Sequence, residues 1–465
     1  MRKFLVFVLL ATLSISIAKE AVLGNQAYDP SLNSSDDIGF WTQSFSGFTV
    51  ESRGIKFMDM LDENVIWTAA YDGSTGGPNI QEVSKSVDGG ENWSTYQITA
   101  CTGGDMAMIK GIDETRAYAV IHSSDVQGIY VTMDGGGAWN RQESADFNLS
   151  GSFPNVVHFF NETDGFAQGD PVGGFYELYT TSDAGQTWTR VPTENIPAPL
   201  SGEWGVIGYY DAYGDNIWWG TQKGRVFRST DKGYTWEAAE TGLATFVDVA
   251  FRDELNGLAI DKGSNSIGQL FETSDGGITW SEIFTVGLNF TNDFEFIPGT
   301  NTVVSTGAAS GFSGASFSFD GGHNWEQWTA QSDVQMLATD WVSPTAGFAG
   351  GFSGIDLGMF KYNGDLVTGI DNNFESGITN YQLNQNYPNP FNPTTSISFA
   401  LRNSANVQLS VYDAKGAVVA NLVNGFILEG SHSVEFNAAD LTTGVYYYTI
   451  SVNDIATTKK MMLLK

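Results

Sequence analysis

The sequence predicts an all-β protein, a seven-bladed β-propeller followed by a small immunoglobulin-like β-sandwich. Three observations lead to this prediction. The pattern Ser/Thr-x-Asp-x-Gly-x-x-Trp occurs six times with 44 to 49 residues from one tryptophan to the next, and a fixed period in this range is typical of propellers and solenoids. Seven apolar, strand-like segments recur with a similar spacing. Residues 383–465 lack the repeat and show a separate set of alternating strands.

Each copy of the repeated pattern carries residues that are suited to closing a tight turn. Aspartate, serine and threonine side chains bond backbone N–H groups a residue or two further on, and glycine adopts a positive φ at little steric cost. Tryptophan is a large apolar group that anchors the turn to a core. We therefore expect structural roles for the aspartate and tryptophan of each copy. These residues are Asp88 and Trp93, Asp134 and Trp139, Asp183 and Trp188, Asp231 and Trp236, Asp275 and Trp280, and Asp320 and Trp325.

This pattern resembles the Asp-box repeat, also called the BNR repeat, which lies between the third and fourth strands of propeller blades. The resemblance covers residues 40–362 and rests on six copies in register. It implies a domain of four-stranded blades, whose limits we set at 40–364.

Two strand-like segments and a third strand precede each Asp box, with polar turns between them. The first segments are apolar and lie at 55–58, 106–109, 156–160, 205–210, 246–251, 290–296 and 336–341. The second segments lie at 65–67, 117–121, 165–167, 217–219, 257–260, 302–304 and 347–349.

Seven first strands but six Asp boxes indicate how the ring closes. The seventh unit ends at 358–364 without an aspartate or tryptophan in register with the box. Residues 40–44 look like the strand that follows each box, yet no box precedes them. We expect this segment to complete the seventh blade as its outer strand, because closure removes a sheet edge. A six-bladed ring is the alternative if one unit is miscounted.

The N-terminus predicts export. Met1-Arg2-Lys3 precedes an apolar run, and Ser16 and Ala18 are small residues before a cleavage point. Residues 1–18 are therefore predicted to be a signal peptide, and residues 19–39 a flexible leader. No later apolar run has the length of a membrane span.

Composition narrows the classes of partner. Lysine and arginine number 22 against 53 aspartates and glutamates, and the formal net charge of −31 disfavours nucleic acid. Cys101 is the only cysteine, which excludes an intramolecular disulfide and favours a buried structural role for this residue. We expect a monomer without a cofactor or a metal.

A linker and a second domain follow the propeller. Residues 365–382 are rich in glycine, asparagine and aspartate and are predicted to be a linker. Residues 383–395, at the start of the second domain 383–465, contain three prolines, which exclude a helix and a central strand in this stretch. Strands are expected at 396–401, 407–412, 417–422, 431–436, 444–452 and 457–464, with turns at 413–416 and Gly425, as in a small β-sandwich.

Several motifs in this second domain occur together in a known family. They are Asn386, Tyr387, Pro388, Asn389, Pro390, Phe391, Asn392 and Pro393, then Val411-Tyr412-Asp413, Gly444-Val445-Tyr446-Tyr447-Tyr448 and the terminal Lys460-Met461-Met462-Leu463-Leu464-Lys465. The segment is similar to the type A sorting domain of the type IX secretion system. This similarity implies Sec export and then outer-membrane translocation by the type IX machinery. It leaves open whether the protein is released or attached to the cell surface.

The propeller carries a second resemblance, through 165–172, 201–205 and 247–259. These stretches are similar to the photosystem II assembly factor-like (YCF48-like) propellers. The resemblance implies a non-catalytic binding or scaffolding role for an extracellular glycan or protein ligand. No nucleotide-binding fingerprint accompanies it.

A secreted glycoside hydrolase is the alternative. Sialidases share the Asp box, but their chemistry uses three arginines that converge on a sugar carboxylate. The Phe/Tyr-Arg-Ile-Pro motif of sialidases is absent from this sequence, in which Ser52-Arg53-Gly54-Ile55 is the nearest match. Xyloglucan-type endoglucanases pair two propellers, with acid and base carboxylates on opposite walls of a cleft. The present sequence shows one propeller.

Loops on the face opposite the Asp boxes are the expected binding surface, because they gather around the axial funnel. The candidate loops are 71–78 and 310–313, together with the candidate residues Asp170, Glu203, Trp204, Trp218 and Trp219. A simple Asp-Pro turn is the alternative role for Asp170, and inter-blade packing is the alternative role for Trp204.

Overall fold

The structure is a computed structural model that describes residues 41–465 with gaps. The gaps are 51, 75–77, 123–124, 264–267, 328–333, 353–357, 364–380, 384–385, 387, 402–403, 414, 429 and 453–454. The predicted signal peptide 1–18 and leader 19–39 lie outside the described residues, as does most of the predicted linker. The chain divides into two compact units, one that ends at Thr368 and one that spans Gly369–Lys465.

The described residues of the first unit form seven four-stranded antiparallel sheets, which confirms the predicted seven-bladed propeller. Its strands are β1 (Trp41–Phe45), β2 (Arg53–Met60), β3 (Ile66–Asp72), β4 (Glu82–Ser86), β5 (Ser94–Gln97), β6 (Asp105–Gly111), β7 (Ala117–His122), β8 (Gly128–Thr132), β9 (Asn140–Arg141), β10 (Pro154–Phe159), β11 (Gly165–Val172), β12 (Phe175–Thr181), β13 (Thr189–Arg190), β14 (Gly205–Tyr213), β15 (Asn216–Thr221), β16 (Arg225–Ser229), β17 (Glu237–Glu240), β18 (Val247–Phe251), β19 (Gly257–Asp261), β20 (Leu270–Thr273), β21 (Ser281–Ile283), β22 (Asp293–Phe296), β23 (Val303–Ala309), β24 (Phe312–Ser318), β25 (Glu326–Gln327), β26 (Met336–Ser343), β27 (Ala346–Gly351) and β28 (Gly358–Tyr362). In the described residues, the 3₁₀ turns Thr99–Cys101 and Thr193–Asn195 lie between blades. Blades 1 to 6 take four successive strands each from β2 to β25, and blade 7 comprises β26, β27, β28 and β1.

The N-terminal strand closes the ring. β1 runs antiparallel to β28 with Trp41 opposite Tyr362, and the sheet has the order β1-β28-β27-β26. Trp41 is 4% exposed, and its ring makes edge contacts with Trp341 and Tyr362 at centroid distances of 5.9 and 5.6 Å. The closure matches the prediction to within one residue and rules out the six-bladed alternative.

Second strands of the blades are buried on both faces. Trp219 stacks on Phe227 of its own blade and meets Tyr176 of blade 3 edge-on, whereas Trp218 stacks on Phe251 of blade 5 at 3.7 Å. Successive side chains of a strand point to opposite faces, so β15 contributes one tryptophan to each of two neighbouring seams. The propeller core therefore consists of side chains packed between blades.

The six Asp-box turns share one hydrogen-bond pattern. The first hydroxyl accepts a hydrogen bond from the glycine N–H four residues on, at 2.8 to 3.0 Å. The aspartate accepts one from the N–H four residues on, at 2.8 to 2.9 Å. Both of these bonds span four residues, and in five of the boxes the first hydroxyl also accepts the aspartate N–H two residues on, at 3.3 to 3.5 Å, which is the short span that we expected.

Box tryptophans lie against their own turns. Four are buried, whereas Trp93 and Trp280 are half-buried. Except for Trp188, their indole N–H groups donate to the glycine carbonyl three residues earlier, at 2.8 to 3.2 Å. These contacts are those of a structural turn.

The described residues of the second unit form seven strands in two sheets, in agreement with the predicted sandwich. They are β29 (Tyr381–Leu383), β30 (Thr394–Leu401), β31 (Ala405–Tyr412), β32 (Val418–Ile427), β33 (Gly430–Asn437), β34 (Gly444–Val452) and β35 (Ile455–Leu463). The sheets have the orders β29-β30-β33 and β32-β31-β34-β35. The predicted turn at Gly425 is wrong, because Gly425 pairs with Val407 inside the exposed edge strand β32. An edge strand tolerates a glycine that packs against nothing.

The proline-rich loop before β30 is fixed by hydrogen bonds to the sandwich. Asn386 is buried, its N–H donates to Tyr448 Oη at 2.8 Å, and its side-chain amide donates to Thr395 Oγ1 at 2.9 Å. Phe391 donates its N–H to the Met462 carbonyl at 2.9 Å and is buried. Tyr387 lies outside the described residues, and Asn389-Pro390 is a cis peptide.

Candidate functional site

The two faces of the propeller carry different loops. The hairpin between the first and second strands of a blade lies beside the Asp box of the same blade, as shown by the bonds from Gly89 N to Asn64 O and from Gly135 N to Thr115 O. We call this side the box face. Connections between second and third strands, and those between blades, lie on the opposite face.

Every blade contributes a titratable side chain to a cluster around the axis. We call it the axial cluster, and it comprises Asp59, Lys110, His158, Asp211, Asp248, Asp293, Glu295 and Asp340. All of its members lie on the first strands of blades 1 to 7. Glu295 of blade 6 interacts electrostatically with Asp211 of blade 4, so the cluster extends beyond pairs of adjacent blades.

Four aspartates of the axial cluster each join the first strand of one blade to that of the next. The bonds run from Gly111 N to Asp59 at 2.6 Å, from Phe251 N to Asp211 at 2.5 Å, from Thr339 N to Asp293 at 2.9 Å and from Met60 N to Asp340 at 2.5 Å. Each bond crosses from one blade to its neighbour. Four of the seven seams are thus fastened at the axis by a carboxylate.

Burial changes the acidity of this cluster. Burial, with Asp59 as the next cause, raises the pKa of Asp340 to about 8. Burial also raises the pKa of Asp211 to about 7 and that of Asp293 to about 6, and it raises the pKa of Glu295 well above its ordinary value. Glu295 Oε1 is buried and has no hydrogen-bond partner among the described residues. Weak acids of this kind are suited to proton transfer near neutral pH.

Two lysines balance part of the negative charge. Lys110 Nζ lies 2.6 Å from Asp59 Oδ1, and Lys262 Nζ lies 2.8 Å from Asp248 Oδ2. Lys262 also donates to the Asn292 carbonyl of blade 6 at 2.6 Å. The Lys110–Asp59 pair reinforces the seam between blades 1 and 2, and the hydrogen bond from Lys262 to Asn292 fastens the seam between blades 5 and 6.

Asp170 is buried, and it lies near the end of strand β11 where we expected a loop. A bulge between Gly169 and Pro171 accommodates the proline within the strand. Asp170 Oδ1 accepts a hydrogen bond from Asn155 Nδ2 at 3.0 Å. This bond links the second strand of blade 3 to the first.

Glu203 forms a buried ion pair with Arg225. Arg225 Nε and Nη2 reach its two carboxylate oxygens at 2.9 and 2.5 Å, and Thr221 Oγ1 donates at 2.8 Å. Burial alone would raise the pKa of Glu203, but the hydrogen bonds from Arg225, Leu200 N–H and Thr221 outweigh it and lower the pKa. This carboxylate is fully occupied inside the blade.

The three tryptophans among the candidate residues differ in their exposure to solvent. Trp218 and Trp219 are fully buried in the seams described above, so neither offers a surface to a ligand. Trp204 is half-buried, and its backbone N–H bonds Gln222 Oε1 at 2.9 Å. Among the five candidate residues, only Trp204 presents accessible surface.

The mouth of the axis on the opposite face carries Tyr71, from the candidate loop 71–78, together with four aromatic and basic residues that the sequence analysis missed. Lys56 Nζ lies 5.9 Å from the Tyr71 ring centroid, and Tyr71 meets Phe352 at 5.1 Å. His122 packs on Phe153 at 4.6 Å. We call these five residues the mouth group. The signal in the sequence was a lysine inside the predicted first segment 55–58, whose other residues are apolar.

The seven arginines of the propeller are distributed over blades 1 to 5, each beside an acidic partner. The pairs are Arg53 with Asp72 and Glu82, Arg116 with Asp113, Arg141 with Glu143, Arg190 with Glu177, Arg225 with Glu203, Arg228 with Glu237 and Arg252 with Asp253. Such local pairing differs from three guanidinium groups that converge on one carboxylate. In the described part of the chain, no group of three or more His, Cys, Asp or Glu side chains is placed to hold a metal ion. Its helices include none that is long and apolar enough to cross a membrane.

Comparison with known proteins identifies the C-terminal domain. Residues 385–464 match the family described as Secretion system C-terminal sorting domain. This domain directs the protein through type IX secretion to the cell surface or the extracellular space. The predicted destination is thereby confirmed.

The propeller is similar in fold to solved YCF48 structures. A YCF48 structure from Cyanidioschyzon merolae has 16% identity and a TM-score of 0.50, and the match covers 70% of this chain and 99% of that one. A structure described as YCF48 bound to D1 peptide gives 16% identity and a TM-score of 0.48, with coverage of 73% and 99%. At these identities the similarity shows the fold.

A curated relative is an enzyme. Xyloglucanase Xgh74A of Acetivibrio thermocellus is 24% identical over an alignment of length 318, and the match covers 58% of this chain and 37% of the relative. The present chain therefore spans little more than a third of the length of that enzyme.

Proposed function

We propose that the propeller is a non-catalytic binding or scaffolding domain for an extracellular glycan or protein, delivered by the sorting domain. The observation that carries this proposal is the use of charged groups at the axis. Asp59, Asp211, Asp293 and Asp340 accept backbone N–H groups of the neighbouring blades. Groups that satisfy buried backbone in this way serve the fold, because an unpaired buried N–H is costly.

The arginine pattern supports the same proposal. A sialidase-like site needs guanidinium groups that are free to clamp one substrate carboxylate. Here Arg53 and Arg225, on blades 1 and 4, each make two or more hydrogen bonds to carboxylates of their own blade. These two arginines are already occupied without a ligand.

The proposed ligand surface is the opposite face around Trp204 and the mouth group. Aromatic rings with a nearby cation offer apolar contact area and a polar handle together. Lys56 and Tyr71 supply such a pair at the mouth of the axis. We expect the protein to act there as a monomer.

Retention and cleavage measured together test the proposal. The purified protein is incubated with insoluble polysaccharides, xyloglucan, sialosides and a panel of surface proteins, and both retention and new reducing ends are recorded. We expect retention without cleavage, and weaker retention for Trp204→Ala. Tyr234→Ala, at an exposed residue on the box face, is the matched control. Release of reducing ends by the wild-type protein would refute the non-catalytic role.

A secreted glycoside hydrolase is the second candidate, and the axial cluster favours it. Glycosidases of this type need one carboxylic acid with a raised pKa and a second carboxylate. Burial raises the pKa of Glu295 and of Asp340, which suits each of them to the role of the acid. The 24% identity with a xyloglucanase adds xyloglucan as a substrate to test. If xyloglucan is cleaved, Glu295→Gln and Asp340→Asn should abolish cleavage; unchanged cleavage in both variants would exclude the axial site.

A further inference from the structure

In the described residues of the sorting domain, four strands lie at the edges of the two sheets, and β32 differs from the other three. It is ten residues long and contains no charged residue and no proline. By contrast, β33 carries Glu435, β35 carries Lys459 and Lys460, and β29 has only three residues. Proteins commonly protect exposed sheet edges with charges, prolines or short strands. Strand β32 has none of these three protections.

The second half of β32 offers regular backbone for pairing. Residues Val423–Ile427 pair with β31 in unbroken register, whereas the register shifts twice between Val418 and Val423. Val423 and Ile427 pack against the core of the sandwich, which holds this half of the strand in place from one side. No strand among the described residues pairs with its outer edge. A sheet edge of this kind presents N–H and C=O groups to which an additional strand can bond.

Exposed apolar side chains lie on the same strand. Val418 and Phe426 are 54% and 65% exposed, and Leu428, directly after the strand, is 68% exposed. The other exposed large apolar side chains described in this domain are only 39% to 47% exposed. Phe426 pairs with the exposed Asn406, which places its ring on the solvent face of the sheet beside the outer edge. A strand that paired with β32 would therefore also cover this ring.

The opposite edge of the same sheet is already covered. Phe391 donates its N–H to the Met462 carbonyl at 2.9 Å and accepts the N–H of Leu464 at 3.0 Å. Asn389 Oδ1 accepts the N–H of Met462 at 2.9 Å. The proline-rich loop thus occupies the edge of β35 near the C-terminus. The domain protects this edge with its own backbone and leaves β32 for another chain.

We propose that the type IX machinery binds the sorting domain by adding an extended segment of one of its components to Val423–Ile427. In strand addition, backbone hydrogen bonds supply affinity and pockets for side chains supply specificity, and here Phe426 is the side chain that a pocket would take. An uncharged strand suits an uncharged partner segment, because an unpaired charge buried against it would be costly. The family match supplies the occupant, since this domain directs type IX secretion. The inference rests on that sorting role and is independent of the ligand of the propeller.

Secretion of full-chain variants tests this strand. Asn424→Lys/Phe426→Lys places two charges on the exposed side of β32. Ser433→Lys/Glu435→Lys, at two exposed residues of the edge strand β33, is the matched control. Each variant is produced in a bacterium that has the type IX system, and its secreted and periplasmic fractions are measured by immunoblotting. We expect the secreted fraction to fall roughly tenfold for the β32 variant, a factor that loss of a central interface contact commonly produces, and by less than about twofold for the control.

Crosslinking in living cells keeps the test informative if the lysine variant folds poorly. Phe426→p-benzoylphenylalanine retains an aromatic ring, and Glu435→p-benzoylphenylalanine is its control. We expect the first to crosslink to a component of the type IX machinery, identified by mass spectrometry, and the second not to do so. Crosslinks between two copies of this chain, or equal secretion of the two lysine variants, would overturn the proposal.

Deletion of residues 383–465 separates this proposal from the sorting role on which it rests. If the deletion blocks secretion while Asn424→Lys/Phe426→Lys is secreted normally, the edge strand is wrong and the sorting role stands. Secretion of the deleted chain would refute the sorting role itself, and the proposal with it.

Discussion

Replacement of Trp41 tests how much the ring closure contributes to stability. This side chain belongs to β1, the single strand that joins the N-terminal end of the propeller to blade 7. It contacts Phe317, Trp341 and Tyr362 at ring-centroid distances of 5.6 to 6.3 Å. Trp41→Ala removes these contacts and leaves a cavity between blades 6 and 7.

The expected loss follows from the buried area. A buried tryptophan removes roughly 200 Å² from water, which at about 25 cal/mol per Å² is about 5 kcal/mol, or roughly 3 to 4.5 after allowance for a compact unfolded chain. Trp41 Nε1 is buried without a partner among the described residues, a cost of about 1 kcal/mol that the substitution removes. We therefore expect Trp41→Ala to lower the free energy of unfolding by about 2 to 4 kcal/mol.

Urea unfolding followed by tryptophan fluorescence measures this loss. Trp41→Phe is the informative companion, because phenylalanine keeps much of the apolar contact and has no N–H to satisfy; we expect a change below about 1.5 kcal/mol. Phe284→Ala, at a residue that is 74% exposed, controls for general effects of removing an aromatic ring. Equal losses for Trp41→Phe and Trp41→Ala, or a loss for Trp41→Ala no larger than that of the control, would refute the reasoning.

Three further predictions concern the ion pairs, the axial acids and the sorting domain. Glu203→Gln should lower the free energy of unfolding by about 3 kcal/mol, because it leaves Arg225 buried without its charge partner. Glu237→Gln, at an exposed ion pair, should change the free energy of unfolding by less than about 0.5 kcal/mol. Similar losses for the two variants in urea unfolding would contradict the importance of the buried pair. The pKa values of Asp340 and Asp211 in the folded protein are about 8 and 7, whereas an aspartate in an unfolded chain has a pKa of about 4. The contribution of the neutral aspartates to the free energy of unfolding is therefore fully present below about pH 4 and is lost as the pH rises through 7 to 8. Asp340→Asn should flatten the fall of the unfolding midpoint between pH 6 and 9, and an unchanged slope would count against the raised pKa. Deletion of residues 383–465 should retain the protein in the periplasm, as judged by cell fractionation and immunoblotting, and normal secretion would contradict the sorting role.

The fold was predictable because its signals are local and repeated. The Asp box places a turn in each blade within eight residues, and seven first strands against six boxes locate the closing strand. Bonds at the axis were not predictable in the same way. Asp340 accepts the N–H of Met60, 280 residues away, and no local pattern indicates which backbone group a carboxylate will meet.

The candidate site was predicted less well, for two physical reasons. Ile217, Trp218 and Trp219 form a continuous apolar run, which is typical of a strand buried on both faces, and this signal argued against an exposed site. Glu203 was taken as a surface carboxylate because its partner Arg225 lies 22 residues further on. Sequence spacing alone does not show that the third strand of a blade brings a guanidinium back to that carboxylate.

Closure of the ring by β1 also constrains the order of events after export. The hydrogen bond between Thr42 and Asn363 joins residues that are 321 positions apart, and the whole of β1 pairs with a strand of similar separation. Contacts between such distant residues form late, because the conformational entropy of the intervening chain must be lost before these contacts can stabilise the fold. While the chain emerges N-terminus first, β1 has no partner until the last blade has arrived. The two edges of the incomplete ring are then open to other chains, so an escort that covers these edges would protect the protein until its final strand docks.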